Sequence, residues 1–553
     1  MRKDSHYIIV GGGSTGCTLA GRLTEDAEIR VSLLEQGPSD RSPWIHIPAT
    51  YYKVCKGPLL SRYPYQRSRE QTPLANPTMI QARVLGGGSS VNAMLYVRGI
   101  PEDYNTWAAE GAEGWDYSNV LPYFKRAEGN NRFHDKAHNS LGPLGVSDAI
   151  YVHPLTRIWL QACQQAGLPY NSDFNSGTQS GAGLYQITTR DGRRCSAAVA
   201  YVHPAVGRTN FDLKTNCRVK RILFERGRAV GVEYTEQNDT HILLAECEVI
   251  LSAGAIATPH LLMLSGVGAA EQLRAKGVPI VADLPGVGQN YQDHLEMSLV
   301  YKLTGPHSYD KYKNAWWAAK AGLEYLLFRN GPATSNIAEA GGFWWSSNGT
   351  DHPDIQLFFL AGAGIEEGID TIPGKNGCTI TVSQTRPKSR GFIELSSRDP
   401  GSAPQIVPNY LAHSDDIRCL ADGARLVQDI MQQPVISPYV SGGHIPPRRL
   451  DATSDLEDFV RYQAHPGLHP CGTCRMGRDR MSVVDPQLRV HGVEGLRIAD
   501  ASVMPNVVSG NLNSVVIMIG EKAADILRGV HLPAENVRHH EPAASSAANA
   551  GAV

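Results

Sequence analysis

The chain is short of most features that would assign a class at once. Ten cysteines in 553 residues are too few for a disulfide framework, so a small stapled secreted scaffold is excluded and a reducing compartment is expected. No run approaches the ~18 apolar residues of a membrane span. The opening MRKDSHYIIV is too short in its apolar part for a signal peptide. The cytoplasm is therefore the expected location, with the periphery of a membrane left open. Net charge is only −2 and no long Lys/Arg run occurs, so nucleic acid is not an expected partner. No internal repeat is visible.

What remains is a composition suited to large cores. Hydrophobic residues make up 42% and charged residues 19%, which argues against global disorder. At roughly 100–200 residues per domain, two to four domains are expected. The end of the chain, residues 531–553, is rich in small residues and lacks an apolar period. It is expected to be a disordered tail.

The first informative stretch is YIIVGGGSTGCTLAGRL: a short apolar strand, a glycine turn, and a helix with small residues on its inner side. Gly11, Gly13 and Gly16 fit G-x-G-x-x-G. The first glycine permits the tight turn, the second lets backbone approach a pyrophosphate, and the third lets helix pack on strand. The helix amino terminus offers free N–H groups to phosphate. VSLLEQG reads as the second strand and ends on Glu35, where a carboxylate for ribose hydroxyls is expected. These features predict a dinucleotide site but do not choose between FAD and NAD.

Three later segments narrow the choice. RVLGGGSSVNAMLYVRG (83–99) has the small residues of a backbone pressed against a flat ligand, with apolar flanks that a flexible loop would lack. LSAGAIATPHLLMLSGVG (251–268) reads as a strand end followed by a helix beginning near Thr258-Pro259. GLRIADASVMPNVVSGNLNSVVIMIGEKAADIL (495–527) pairs a strand ending at Asp500 with a turn and a long apolar helix.

Together with LHPCGTCRMG (468–477), these segments resemble, in order, the glucose–methanol–choline (GMC) oxidoreductase family, and the resemblance spans nearly the whole chain except the tail. It implies an α/β chain (α+β overall), with a Rossmann-like FAD-binding domain and a substrate-binding domain built on an antiparallel sheet backed by helices. The expected division gives 1–155, 191–299 and 456–530 to the FAD-binding part, the last with the catalytic pair. It gives 156–190 and 300–455 to the substrate part.

The resemblance also implies FAD. Members with a histidyl–flavin bond carry histidine directly before the asparagine of the second segment. Here that residue is Val91, before Asn92, so non-covalent FAD is expected. Implied contacts are Gly11, Gly13, Ser14, Thr15, Gly16 and Glu35; Val84; Asn92, Ala93, Met94 and Leu95 around the isoalloxazine; and Val219 beside the adenine. Asp500 and Ala501 are expected near the pyrophosphate and ribitol, and Asn513 at the pyrimidine edge.

The C-x-x-C of LHPCGTCRMG could suggest a metal or a redox pair. A structural zinc site needs four ligands, and the remaining cysteines are scattered, so no metal is expected and Cys471 and Cys474 read as packing residues. In the family pattern His469 faces the flavin N5 and is partnered by Asn511. His465, four residues earlier, is the alternative assignment. An imidazole that accepts the hydroxyl proton, with an amide holding the oxygen, suits alcohol oxidation.

In the substrate half, PDIQLFFLAG, CTITVSQTRP and GFIELSSRDP read as strands. KNAWWAAKAGLEYLLFRNG reads as a helix ending at Gly331, and SDDIRCLADGARLVQDIMQQP as one ending before Pro434. Glu339, in EAGGFWW, marks where choline-oxidising relatives bring a glutamate to the ammonium, but it also suits a scaffold carboxylate. Leu468 stands where those relatives often have tyrosine. The resemblance therefore favours oxidation of a neutral primary alcohol, aliphatic or aromatic, to an aldehyde. Choline is the runner-up, and a hydroxynitrile lyase-like flavoprotein is the alternative from another class. Oxygen, a quinone or a cytochrome could each take the electrons, and the oligomeric state is open.

Overall fold

The structure is a computed structural model that describes residues 5–71, 77–364, 372 and 376–535. Along the chain the strands of two sheets alternate. β1 (Ser5–Val10) and β2 (Ile29–Leu34) enter the first sheet, and β3 (Gly181–Leu184) the second. β4 (Phe211–Lys214) and β5 (Val249–Leu251) return to the first. β6 (Leu295–Leu303), β7 (Ala340–Trp344), β8 (Ile355–Leu360), β9 (Gly377–Gln384) and β10 (Val440–Ile445) form the body of the second, and β11 (Leu496–Ile498) closes the first.

The first sheet is parallel throughout, in the order β4-β2-β1-β5-β11. Both of its faces are covered, so its strands are runs of β-branched and leucine side chains without polar alternation; Ile8, Ile9, Leu33 and Val249 are fully buried. α1 (Ser14–Leu23) follows β1 through the glycine turn. Gly11 has φ +105°, and a Cβ on Gly16 would lie 2.0 Å from the Gly11 carbonyl oxygen. Neither position tolerates a side chain, and α1 can therefore press directly on the turn.

The second sheet is antiparallel, in the order β10-β6-β9-β8-β7-β3, with His465–Pro466 as a further short strand on β6. α2 (Pro154–Gln165) and α5 (Ser414–Ile430) pack behind it. Sequence and structure differ in four places. The expected boundary at 299/300 cuts β6, which pairs with β9 along its length and belongs wholly to the antiparallel sheet. The helix expected near Thr258-Pro259 begins earlier, as α3 (Gly254–Leu264), with Pro259 inside it. α4 (Ala315–Phe328) stops before Gly331, because Arg329 already turns left-handed at φ +51°. The expected tail starts too early. Leu532 N–H donates to the Tyr123 hydroxyl, and Glu535 pairs with Lys125. Residues 536–553 lie outside the described residues.

Candidate active site

The amino-terminal turn and the second glycine segment form one seam, with Gly86 N–H donating to the Gly12 carbonyl at 2.7 Å. Glu35 is buried directly after β2 and accepts from Gly12 N–H at 2.8 Å and Gly37 N–H at 2.7 Å. Burial raises its carboxyl above the ordinary value. Glu35 lines a cavity of about 440 Å³ together with Gly11, Arg218, Val219 and His260. The cavity has the size and the acceptor that an adenosine moiety needs.

At the other end of the seam α6 (Asn513–Arg528) packs on α1. Ser14 Oγ–H donates to Asn513 Oδ1 at 3.1 Å, which turns the amide, and its buried Nδ2 has no partner among the described residues. A buried unpaired donor calls for an acceptor, and the edge of a flavin pyrimidine supplies one. Thr15 is tied into α6 through the Val516 carbonyl. Val84 is buried between the two segments. Asn92 Oδ1 accepts from Met94 N–H and from Arg194 Nη1, and Met94 is held at φ +65°. The Ala93 carbonyl accepts from Asn336 Nδ2, and Leu95 bridges to Ile187. Asp500 sits at the amino terminus of α3, accepting from Gly254 N–H and the Thr258 hydroxyl, while Ala501 begins the following turn. Residues at both ends of the seam thus fit FAD.

LHPCGTCRMG is zipped to that turn. The N–H groups of Gly472, Cys474 and Met476 donate to the carbonyls of Ala501, Ser502 and Val503. Pro259 cannot donate to the Ala255 carbonyl within α3, and the Thr473 hydroxyl does so instead at 2.6 Å. Cys471 and Cys474 are buried and free, and burial pushes both thiols up.

The zipped loop presents His469. Leu468, exposed and left-handed at φ +63°, turns the chain so that His469 N–H reaches Asp293 Oδ1 at 2.6 Å. His469 Nδ1 meets His294 Nδ1 at 2.9 Å, and its Nε2 meets Asn511 Nδ2 at 3.3 Å. His294 Nε2 lies 3.0 Å from the Val508 carbonyl, which can only accept. His294 therefore carries its proton on Nε2. Burial pushes its pKa down to about 4, so its Nδ1 is bare near neutrality and accepts from His469 Nδ1–H. Burial, and then the His294 ring, hold His469 well below the usual histidine value. His469 Nε2 is thus an unprotonated lone pair beside an amide.

The amide is fixed as well. Gln356 Nε2 donates to Asn511 Oδ1 and to the Tyr185 hydroxyl, both at 3.2 Å. His465, the alternative histidine, instead bonds the Pro466 carbonyl through Nδ1. Glu339 is not brought to this cluster. It is fully buried, and its carboxylate accepts from His153 N–H and the hydroxyls of Thr156, Tyr309 and Ser335. With two donors on each oxygen it suits the scaffold role, the one of the two readings left open by the sequence that the resemblance favoured.

Asp293, His294, Glu296 and Gln356 were missed in the sequence. QDHLEM has no glycine signature, although an Asp-His pair opening a strand is a usable signal. A glutamine inside the apolar PDIQLFFL is another. Glu296 lies in β6, two residues after His294, and both approach Gly467. It is buried, and its Oε1 lies 2.9 Å from where a Cβ on Gly467 would stand.

Residues 5–296 and 387–520 match two family models described as GMC oxidoreductase. The chain is 43% identical over 545 residues to the mitochondrial choline dehydrogenase of Homo sapiens, covering 96% of this chain and 90% of that protein. It is 40% identical over 531 residues to the alcohol dehydrogenase (acceptor) of Pseudomonas putida, covering 94% and 95%. The structure matches that of pyridoxine 4-oxidase from Mesorbium loti with a TM-score of 0.86 at 28% identity, covering 96% of this chain and 100% of that one.

Proposed function

The chain belongs to the GMC oxidoreductase family, FAD-dependent enzymes acting on CH–OH groups, and from that premise we propose that it oxidises a primary alcohol to the aldehyde, with His469 as base and Asn511 as the oxygen's partner. FAD would lie along the seam from Glu35 to Asn513 and supplies a two-electron acceptor.

The rest is the work of this chain's residues. The alcohol hydroxyl sits between His469 Nε2 and Asn511 Nδ2. His469 Nε2 takes its proton, and the Asn511 amide donates to the oxygen as negative charge grows there. Val508, His294 and Gln356 hold the two groups in the required tautomer and orientation, so neither must turn as the proton moves. Once protonated, His469 donates from both nitrogens, and His294 Nδ1 still accepts. The single observation that carries this proposal is the one-way chain of donors from Asn511 through His469 to His294, which ends on the Val508 carbonyl.

The test is an anaerobic panel of primary alkanols, benzyl alcohol and choline, monitored by flavin bleaching. Bleaching by a primary alcohol, slowed in His469→Gln, is expected. No bleaching by any alcohol would overturn the proposal and leave a lyase reading in its place.

One observation favours a second reading, choline. Glu296 places a buried carboxylate two residues from His294, beside Gly467, where a quaternary ammonium would be attracted. Leu468 supplies no aromatic ring for that cation. Choline bleaching the flavin far faster than n-butanol would select this reading.

A further inference from the structure

α4 is an anomaly on the surface. Only Ala321 and Tyr325 of its residues are buried. Trp316 and Phe328 are each 73% exposed and Leu326 is 67% exposed; Trp317, Leu323 and Leu327 are exposed too. Scattered exposed apolar side chains need no explanation, but this many large ones on one short helix form a patch that marks an interaction site. The apolar face continues beyond the helix. Exposed Ile150 and the Arg329 carbonyl both approach Gly192.

The patch is bordered by positive charge. Lys311, Lys320, Arg329 and, beside Gly192, Arg193 stand around it. Lys311 and Lys320 lie over the Trp317 ring at 5.8 Å and 5.6 Å. Of the acids nearby, Asp191 is exposed beside Gly192, and the basic residues of the rim outnumber the acids. Asp310 pairs with Lys313, and Glu324 is folded against Gly331.

Tryptophans with snorkelling lysines and an arginine around them match the boundary between headgroup and acyl chain. Among the described residues no helix is long and apolar enough to cross a membrane, so α4 would lie in the interface rather than span it. We propose that α4 docks the protein on an anionic phospholipid surface, with Trp316, Leu326 and Phe328 entering the acyl boundary and the basic rim meeting phosphate.

The helix is also held for such a task. Tyr309 precedes it, Ser335 follows it, and both donate to Glu339. The buried carboxylate thus anchors both ends of the excursion to the substrate half, and force on α4 passes to the sheet.

Flotation of the holoenzyme with vesicles tests the proposal. Binding is expected to phosphatidylcholine vesicles containing a quarter phosphatidylglycerol, but not to phosphatidylcholine alone, and it should weaken as salt rises. The double variants Leu326→Glu/Phe328→Glu and Lys320→Glu/Arg193→Glu should each lower the bound fraction on the order of tenfold or more. Anaerobic flavin bleaching by substrate should be unchanged in both, which shows that they are folded. Failure of the holoenzyme to float with anionic vesicles overturns the proposal. So does equal binding to neutral ones, or unimpaired binding by the Leu326/Phe328 variant. A concentration-dependent dimer broken by that variant would instead assign the face to a second copy of the chain.

Discussion

His469 Nδ1 lies 2.9 Å from His294 Nδ1, and only one of these two nitrogens can carry the shared proton. Because His294 Nε2–H donates to the Val508 carbonyl, the hydrogen between the rings belongs to His469. One backbone carbonyl therefore decides which nitrogen of His469 faces the substrate. His469→Ala should keep its FAD and slow flavin reduction by about 10²–10⁴-fold, the scale of a general base. Stopped-flow absorbance under anaerobic conditions checks this, and near-normal reduction would remove His469 from the mechanism.

His294 can be tested apart from His469. His294→Asn places an amide oxygen near the position of Nδ1 and can still accept. His294→Leu leaves His469 Nδ1–H unpaired. The leucine variant should slow reduction by about 10–100-fold, the scale seen when a partner orienting an imidazole is lost, while the asparagine variant stays within a few-fold of wild type. Equal slowing in both would mean that filling space, and not accepting a proton, is what His294 does.

The same residue predicts a dependence of stability on pH. Burial lowers the native His294 pKa from 6.5 to about 4. As pH falls below about 6.5 the unfolded chain takes up a proton that the native state refuses until about pH 4, so stability drops across that window. Asp293, raised by burial to about 7, has the opposite sign: the native state holds its proton across the same window and gains as pH falls. The comparison must therefore be made against His294→Asn, which removes one slope and keeps the other. Wild-type Tm should fall relative to that of the variant between pH 6.5 and 4, and parallel Tm profiles would refute the assignment.

In the zipped loop the thiols and the hydroxyl should behave differently. Cys471→Ala and Cys474→Ser should leave turnover and FAD content largely intact, with packing losses of roughly 1–3 kcal/mol. Thr473→Val should lower stability by about 1–3 kcal/mol, because the Ala255 carbonyl beside Pro259 loses its donor; Thr473→Ser should retain most of it. Thermal melts of the holoenzyme separate these outcomes, and a harmless valine would show that the carbonyl has another partner.

Two buried glutamates should likewise part company. Glu339→Gln puts an amide among four donors and should lower Tm, with KM unchanged in the enzyme that remains folded. Glu296→Gln should raise KM for choline and not for a neutral alcohol, if the cation reading holds. Steady-state kinetics with both substrates decides, and a KM effect confined to Glu339→Gln would reverse the two assignments.

Much of this was legible before the structure. Gly11, Gly16 and Glu35 are restricted by backbone geometry, and such restrictions appear in a sequence as glycines at fixed intervals. His469 and Asn511 lie in segments whose small residues make a local pattern. The supporting groups left no such mark. His294 stands just before β6 and Gln356 lies within β8, and their roles come from contacts distant in sequence, which bring residue 294 to residue 469 and residue 356 to residue 511. Glu339 stayed open for a related reason: a glutamate before an apolar strand looks the same whether its carboxylate meets four hydroxyl and amide donors or a ligand. Pro259 suggested a first turn because prolines favour that position. Its tolerance deeper in α3 depends on a threonine more than two hundred residues away.

The strand order of the parallel sheet also constrains how the protein is made. β1 lies between β2 and β5, and β5 lies between β1 and β11. During synthesis at about 5–20 residues per second, β1 and β2 leave the ribosome roughly 10–40 seconds before β5 can cover their open edge. The last strand and the loop carrying Asn511 arrive only when about nine-tenths of the chain has been translated. Until then the nascent chain carries an unpaired apolar edge. Its yield in a cell should therefore depend on chaperone supply during elongation, and a truncation before β11 would leave an aggregating fragment in place of a smaller enzyme.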